Sequence, residues 1–145
     1  MCYQCNYKKL LSDADLEITD NRLGVLEIVG NNGFPLPAGD ILKILERNRS
    51  INRVTVYRIL DLLVAHGVVE RISTGGRAFY YGLAPNDYHR AHPHFYCKAC
   101  GRMDCLSPES LMIDTASFKR TFPGQIDKVE VRVDGICSQC EKKRA

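Results

Sequence analysis

The chain has 145 residues, 45% hydrophobic and 26% charged, with a formal net charge of +3 and seven cysteines. That mix is globular, and no apolar run reaches the length needed to span a bilayer, so no membrane partner is expected. An odd cysteine count argues against a closed disulfide framework, and the polar start of the chain lacks the order of a signal peptide, so a cytoplasmic protein with reduced thiols or thiolate ligands is expected.

In chain order, residues 1–16 read as a flexible leader, in which Cys2 and Cys5 form a Cys-x-x-Cys with no obvious partner pair. Thr19 or Asp20 can cap a helix from Arg22 to about Gly30, with Leu23, Leu26 and Val29 at helical spacing and Asn31-Asn32-Gly33 as its stop. After the turn Phe34-Pro35-Leu36-Pro37, a second helix runs from Ala38 to about Asn48 with Ile41, Leu42 and Leu45 inward. The third, from Arg53 to His66, lines one face with Val56, Ile59, Leu60 and Leu63 and ends at Gly67, while His66 caps its C-terminus. Val68 to Ile72 and Arg77 to Leu83, rich in β-branched and aromatic residues and split by Ser73-Thr74-Gly75-Gly76, read as a β-hairpin. Three helices and a hairpin make a winged helix, predicted to occupy residues 1–84.

The turn-prone stretch Ala84-Pro85-Asn86-Asp87 marks a boundary, and residues 85–145 form a second, small unit. Phe95-Tyr96-Cys97 begins a strand that turns at Cys100-Gly101, so that Met103 to Leu106 pairs back across the knuckle. Ser107-Pro108 is expected to open a helix running through Leu111, Thr115, Phe118 and Phe122, and Val129, Val131 and Val133 alternate as a half-buried strand. Cys97-Lys98-Ala99-Cys100 and Cys137-Ser138-Gln139-Cys140 are two hooks that can supply four thiolates to a tetrahedral zinc ion, whereas redox pairs belong in a βαβ context that is missing here. Zinc held by four thiolates has no open position for water, and no nucleophile has its base nearby in sequence, so the chain is not expected to be an enzyme.

Residues 1–84 hold ten Lys or Arg against nine Asp or Glu, so any nucleic-acid surface must come from the placement of charge. Lys43, Arg47, Arg49, Arg53 and Arg58 cluster between the second helix and the outer face of the third. A helix face bearing Arg53, Thr55, Tyr57 and Arg58, followed by a hairpin bearing Arg77, has the parts to enter a major groove while the wing touches phosphate. The same face also suits a zinc-stabilised protein-interaction module that never binds DNA.

From about Ile18 to Cys140 the chain resembles the ferric uptake regulator family of metal-responsive repressors. The resemblance rests on Thr19-Asp20-Asn21-Arg22, on Val54-Thr55-Val56-Tyr57-Arg58-Ile59-Leu60-Asp61-Leu62-Leu63, and on His92-Pro93-His94-Phe95-Tyr96-Cys97-Lys98-Ala99-Cys100-Gly101. It implies an α+β protein with an N-terminal winged-helix DNA-binding domain and a small α/β dimerisation domain carrying a structural zinc. It also implies a homodimer, double-stranded DNA with an inverted repeat as partner, Tyr57 and Arg58 as the DNA-facing pair, and a regulatory metal near the hinge.

Departures from the family pattern shape the expected signal. Phe34-Pro35-Leu36-Pro37 lacks the histidine that iron- and peroxide-sensing members usually place before the second helix, and Ala91 and Pro93 interrupt the family's run of histidines. His92 and His94 remain, and Cys105 stands where an acidic ligand is common. Two imidazoles and a thiolate favour zinc over iron, so zinc sensing is expected, with an iron or peroxide sensor on the same scaffold as the alternative. Glu70, Asp87 and His89 are the candidates for a fourth regulatory ligand.

Overall fold

The structure, a computed structural model, describes residues 6–110 and 112–144. Cys2, Cys5 and Leu111 lie outside the described residues. Among the described residues the elements run α1 (Tyr7–Asp13), α2 (Asp20–Asn31), β1 (Leu36–Pro37), α3 (Ala38–Glu46), α4 (Arg53–Ala65), β2 (Val69–Ser73) and β3 (Phe79–Leu83) in a first unit. A second unit follows with β4 (His94–Cys97), β5 (Met103–Cys105), α5 (Thr115–Thr121), β6 (Arg132–Gly135) and α6 (Ser138–Arg144). The fold is α+β, and none of the described helices is long and apolar enough to cross a membrane.

Side-chain caps start most of the first unit's helices. The oxygens of Asn6, Thr19 and Asn52 accept from the backbone N–H groups of Lys9, Arg22 and Thr55, each three residues on, satisfying donors that the helix leaves without partners. Gly67 ends α4 with φ +72, and the Val68 N–H reaches back to the Leu63 carbonyl at 2.9 Å, the bond of a Schellman stop. Leu11, Val25, Leu26, Ile41, Val56, Leu60 and Leu63 are buried together with Val69, Tyr81 and Leu83 of the hairpin. Strand order is β1-β3-β2, all antiparallel, with Leu36 opposite Tyr81 and Val69 opposite Leu83.

Three expectations are corrected in the first unit. Residues 7–13 are helical rather than a flexible leader, because Leu11 is fully buried and the Tyr7 ring packs over Gly30, with its hydroxyl donating to Asn31 Oδ1 at 2.6 Å. Tyr7, Leu10, Leu11 and Ala14 have the i, i+3, i+4, i+7 spacing that signals this helix. Leu36–Pro37, read as a plain turn, pairs as β1. The chain divides between Arg90 and Ala91, later than the expected joint at 84/85, since the Ala84 N–H bonds the Val68 carbonyl and Asn86 bridges to His89.

In the second unit the order is β5-β4-β6, with β4 and β5 antiparallel and β4 and β6 parallel. The helix expected from Ser107 starts only at Thr115. Ser107 instead closes a local turn, its carbonyl accepting from the Ser110 N–H at 3.0 Å and from Ser110 Oγ at 2.6 Å, and Asp114 caps α5 by accepting from the Ser117 N–H. The last strand begins at Arg132 rather than Val129. The second hook runs straight into α6, which starts at Ser138 and takes in Cys140, with the Glu141 N–H donating to the Cys137 carbonyl, in a stretch where the sequence carries no clear helical period.

Candidate metal centres and nucleic-acid face

Four thiols converge at one end of the second sheet. Cys97 is the last residue of β4 and lies opposite Gly135 in the parallel register, so the hook that follows β4 and the hook that follows β6 emerge side by side. Gly101, at φ +78, turns the chain back after Cys100, and its N–H closes the knuckle onto the Cys97 carbonyl at 2.9 Å. The sulfur atoms of Cys97, Cys100, Cys137 and Cys140 all lie within 4.8 Å of one another. Cys97 is buried and Cys100 exposed, with the other two between.

The electrostatics of the cluster favour a cation. The Cys97 thiol is lowered to about 6, first by the backbone N–H of Cys100 at 3.5 Å and then by that of Cys137 at 3.3 Å, both aimed at its sulfur. Cys140 is pushed up to about 12, mainly by its hydrogen bond with the Cys137 sulfur and then by burial. One thiolate is pre-formed while another resists ionisation beside it, and a bound dication removes that conflict. The four-thiol cluster fits a structural zinc.

A second cluster sits at the opposite end of the same strands. His92 precedes β4 by two residues and its imidazole lies beside that of His94, the first residue of β4, and Cys105 is the cross-strand partner of His94. The ligand atoms of these three residues lie within 4.8 Å of one another, with the imidazole centroids 4.7 Å apart. His94 is only 4% exposed, while Cys105 is open to solvent. Glu70, on β2, and Asp87 and His89, in the loop after β3, belong to the first unit.

On α4, Val56, Ile59, Leu60 and Leu63 face the core, which leaves Val54, Tyr57, Arg58 and Asp61 on an outward stripe at i, i+3, i+4 and i+7. Arg53 at the helix start is exposed, Thr55 is half-buried, and Arg77 is exposed at the hairpin tip. Arg49, one of the expected basic cluster, serves the fold instead. Its Nη1 donates to the Asp20 carbonyl at 2.8 Å and packs so close to Gly24 that a Cβ there would sit 2.7 Å away. It clamps the start of α2.

A winged-helix unit followed by a unit with a four-thiol cluster able to hold a metal ion has the parts of a DNA-binding metalloprotein. Residues 13–123 match the model of the ferric uptake regulator family. The transcriptional regulator FurA of Mycobacterium tuberculosis is 32% identical over 142 residues, spanning 93% of this chain and 90% of that protein. The Helicobacter pylori ferric uptake regulator, described with three functional metal-binding sites, superposes with a TM-score of 0.71 at 16% identity, covering 97% of both chains. A zinc uptake regulator solved with zinc and DNA gives 0.66 at 22% identity, over 94% of this chain and 91% of that one. The chain belongs to the ferric uptake regulator family and is a metalloregulator.

Proposed function

We propose that this chain is a homodimeric, zinc-sensing transcriptional repressor that binds an inverted-repeat operator in the cytoplasm when its regulatory site is loaded. The observation that carries the reading is the His92, His94 and Cys105 cluster, a ligand set separate from the four thiols and built from two imidazoles and a thiol rather than from carboxylates. Zinc bound there supplies a charge and a tetrahedral preference, and such nitrogen and sulfur donors suit it better than iron. The four-thiol cluster is assigned to structural zinc, which ties the end of β4 to the hook after β6. Glu70, Asp87 and His89 are assigned as candidates for the remaining regulatory ligand.

The DNA contacts are assigned to Arg53, Thr55, Tyr57 and Arg58 on α4 and to Arg77 on the wing, with the helix reading base edges and the wing touching phosphate. The zinc uptake regulator solved with DNA has a similar fold, which supports this placement. Self-association is supported by the second unit's own surface. Helix α5 buries none of its residues, and Met112, Phe118, Phe122, Val129 and Val133 are exposed. A seven-residue helix with no buried face needs a partner, and a second copy related by twofold symmetry implies a palindromic site.

Iron sensing is the second reading, favoured by relatives that carry the name ferric uptake regulation protein, such as that of Bacillus subtilis at 28% identity over 138 residues. The test is selection of duplexes from a random pool by the dimeric protein, followed by titration with zinc or with anaerobic iron(II) of dimeric protein that keeps its four-thiol zinc and has been cleared of any further metal. Tighter operator binding at lower free zinc than free iron is expected. Binding driven by iron alone overturns zinc sensing, and no selected duplex overturns DNA binding.

A further inference from the structure

Asp61 is out of place on a face meant for DNA, because a carboxylate at the end of the outward stripe of α4 repels phosphate. Its partner is on the wing. Asp61 Oδ1 accepts from Arg71 Nη2 at 2.7 Å, and the Arg71 guanidinium carbon lies 5.2 Å from the Phe79 ring centre and 6.0 Å from that of Tyr81. Tyr81 is the cross-strand partner of Arg71, so Val69 and Arg71 share a hairpin face with Leu83, Tyr81 and Phe79. Val69, Leu83 and Tyr81 bury that face in the core, whereas Phe79 at its outer end is exposed. Where apolar packing runs out, the guanidinium takes over, held by a carboxylate of α4 on one side and by two rings of β3 on the other.

We propose that Asp61 and Arg71 form a positioning device that fixes the wing against the reading helix, so that Arg77 at the tip and Tyr57 on the helix meet one duplex in register. This rests on the DNA-binding reading given above. Neither residue needs to touch DNA. Preorganisation of this kind raises affinity by removing the loss of freedom that a loose wing would suffer on binding.

The sign of one substitution separates this role from simple surface charge. If Asp61 is only an acid near phosphates, Asp61→Ala strengthens binding, whereas loss of the positioning contact weakens it. Expected is a loss of about three- to tenfold for Asp61→Ala, within what one surface ion pair and a cation–π contact supply, and a smaller loss for Asp61→Asn, which keeps an oxygen acceptor. Arg71→Met should weaken binding by a similar factor with no change in the salt dependence, whereas a direct phosphate contact would lower the slope of log affinity against log salt by about 0.9. The double variant should be no weaker than either single one. In free protein, amide hydrogen exchange over residues 72–80 should quicken in Asp61→Ala and Arg71→Met at unchanged metal content.

Tighter binding by Asp61→Ala, a reduced salt slope for Arg71→Met, or multiplicative losses in the double variant overturns the proposal while leaving DNA binding intact. If the wild type selects no duplex, the DNA-binding reading fails by itself. Unchanged exchange over residues 72–80 then overturns the mechanical half of the proposal on its own.

Discussion

At the scale of single residues, the four thiols link metal binding to pH. Cys97 titrates at about 6 in the fold against 9.0 for a free thiol, so its contribution to stability is complete above pH 9 and is lost as pH falls through 6. Cys140 is raised from 9.0 to about 12, so its contribution is complete below pH 9 and is lost as pH rises through 12. From these two groups, the metal-free second unit should be most stable near pH 9. Thermal denaturation of chelator-treated protein across pH 6 to 9 checks this, and Cys97→Ser should flatten the acid side; an unchanged profile contradicts the pairing of Cys97 with the two N–H groups. Gly30 gives a packing test in the first unit. A Cβ there collides with the Tyr7 ring, so Gly30→Ala should displace α1 and lower stability by about 1–3 kcal/mol in urea denaturation, and an unshifted midpoint would mean that α1 does not rest on Gly30.

At the scale of elements, the proposed DNA contacts give α4 and the wing different signatures in binding. Tyr57→Ala should weaken binding to the selected duplex by about 1–3 kcal/mol and leave random duplex nearly unchanged, as loss of a base contact does. Arg77→Ala should weaken both alike and reduce the salt slope by about 0.9, as loss of a phosphate contact does. Equal losses on both duplexes for both variants would remove α4 from the reading role. The helices α2 to α4 and the hairpin were legible because caps at Thr19 and Asn52, a stop at Gly67 and, in α3 and α4, a 3.6-residue apolar period agree. Helix α1 was obscured by the polar residues among which its apolar spacing lies, and α5 was placed too early because Ser107 commits its hydroxyl and carbonyl to a local turn. Both ligand clusters were legible in residue type and spacing. What residue type and spacing did not give was the register that sets His94 opposite Cys105, because that depends on strand pairing.

At the scale of the whole molecule, the proposal gives the two clusters separate roles, and each role has its own test. The four-thiol cluster joins the start of the second unit to its end, so Cys140→Ser should lower zinc content by about one ion per subunit and shift the protein from dimer to monomer in light scattering, as loss of a structural site does. Full zinc content in a dimer would refute the structural assignment. Zinc sensing itself stands on His92, His94 and Cys105 carrying the signal. It is tested by metal stoichiometry together with zinc-dependent operator affinity on His92→Ala and Cys105→Ser. Expected are folded dimers that keep the four-thiol zinc, lose about one metal per subunit, and bind the operator with no response to added zinc. Variants that keep both metals and respond to zinc like the wild type, with only a fall in thermal stability, would contradict it.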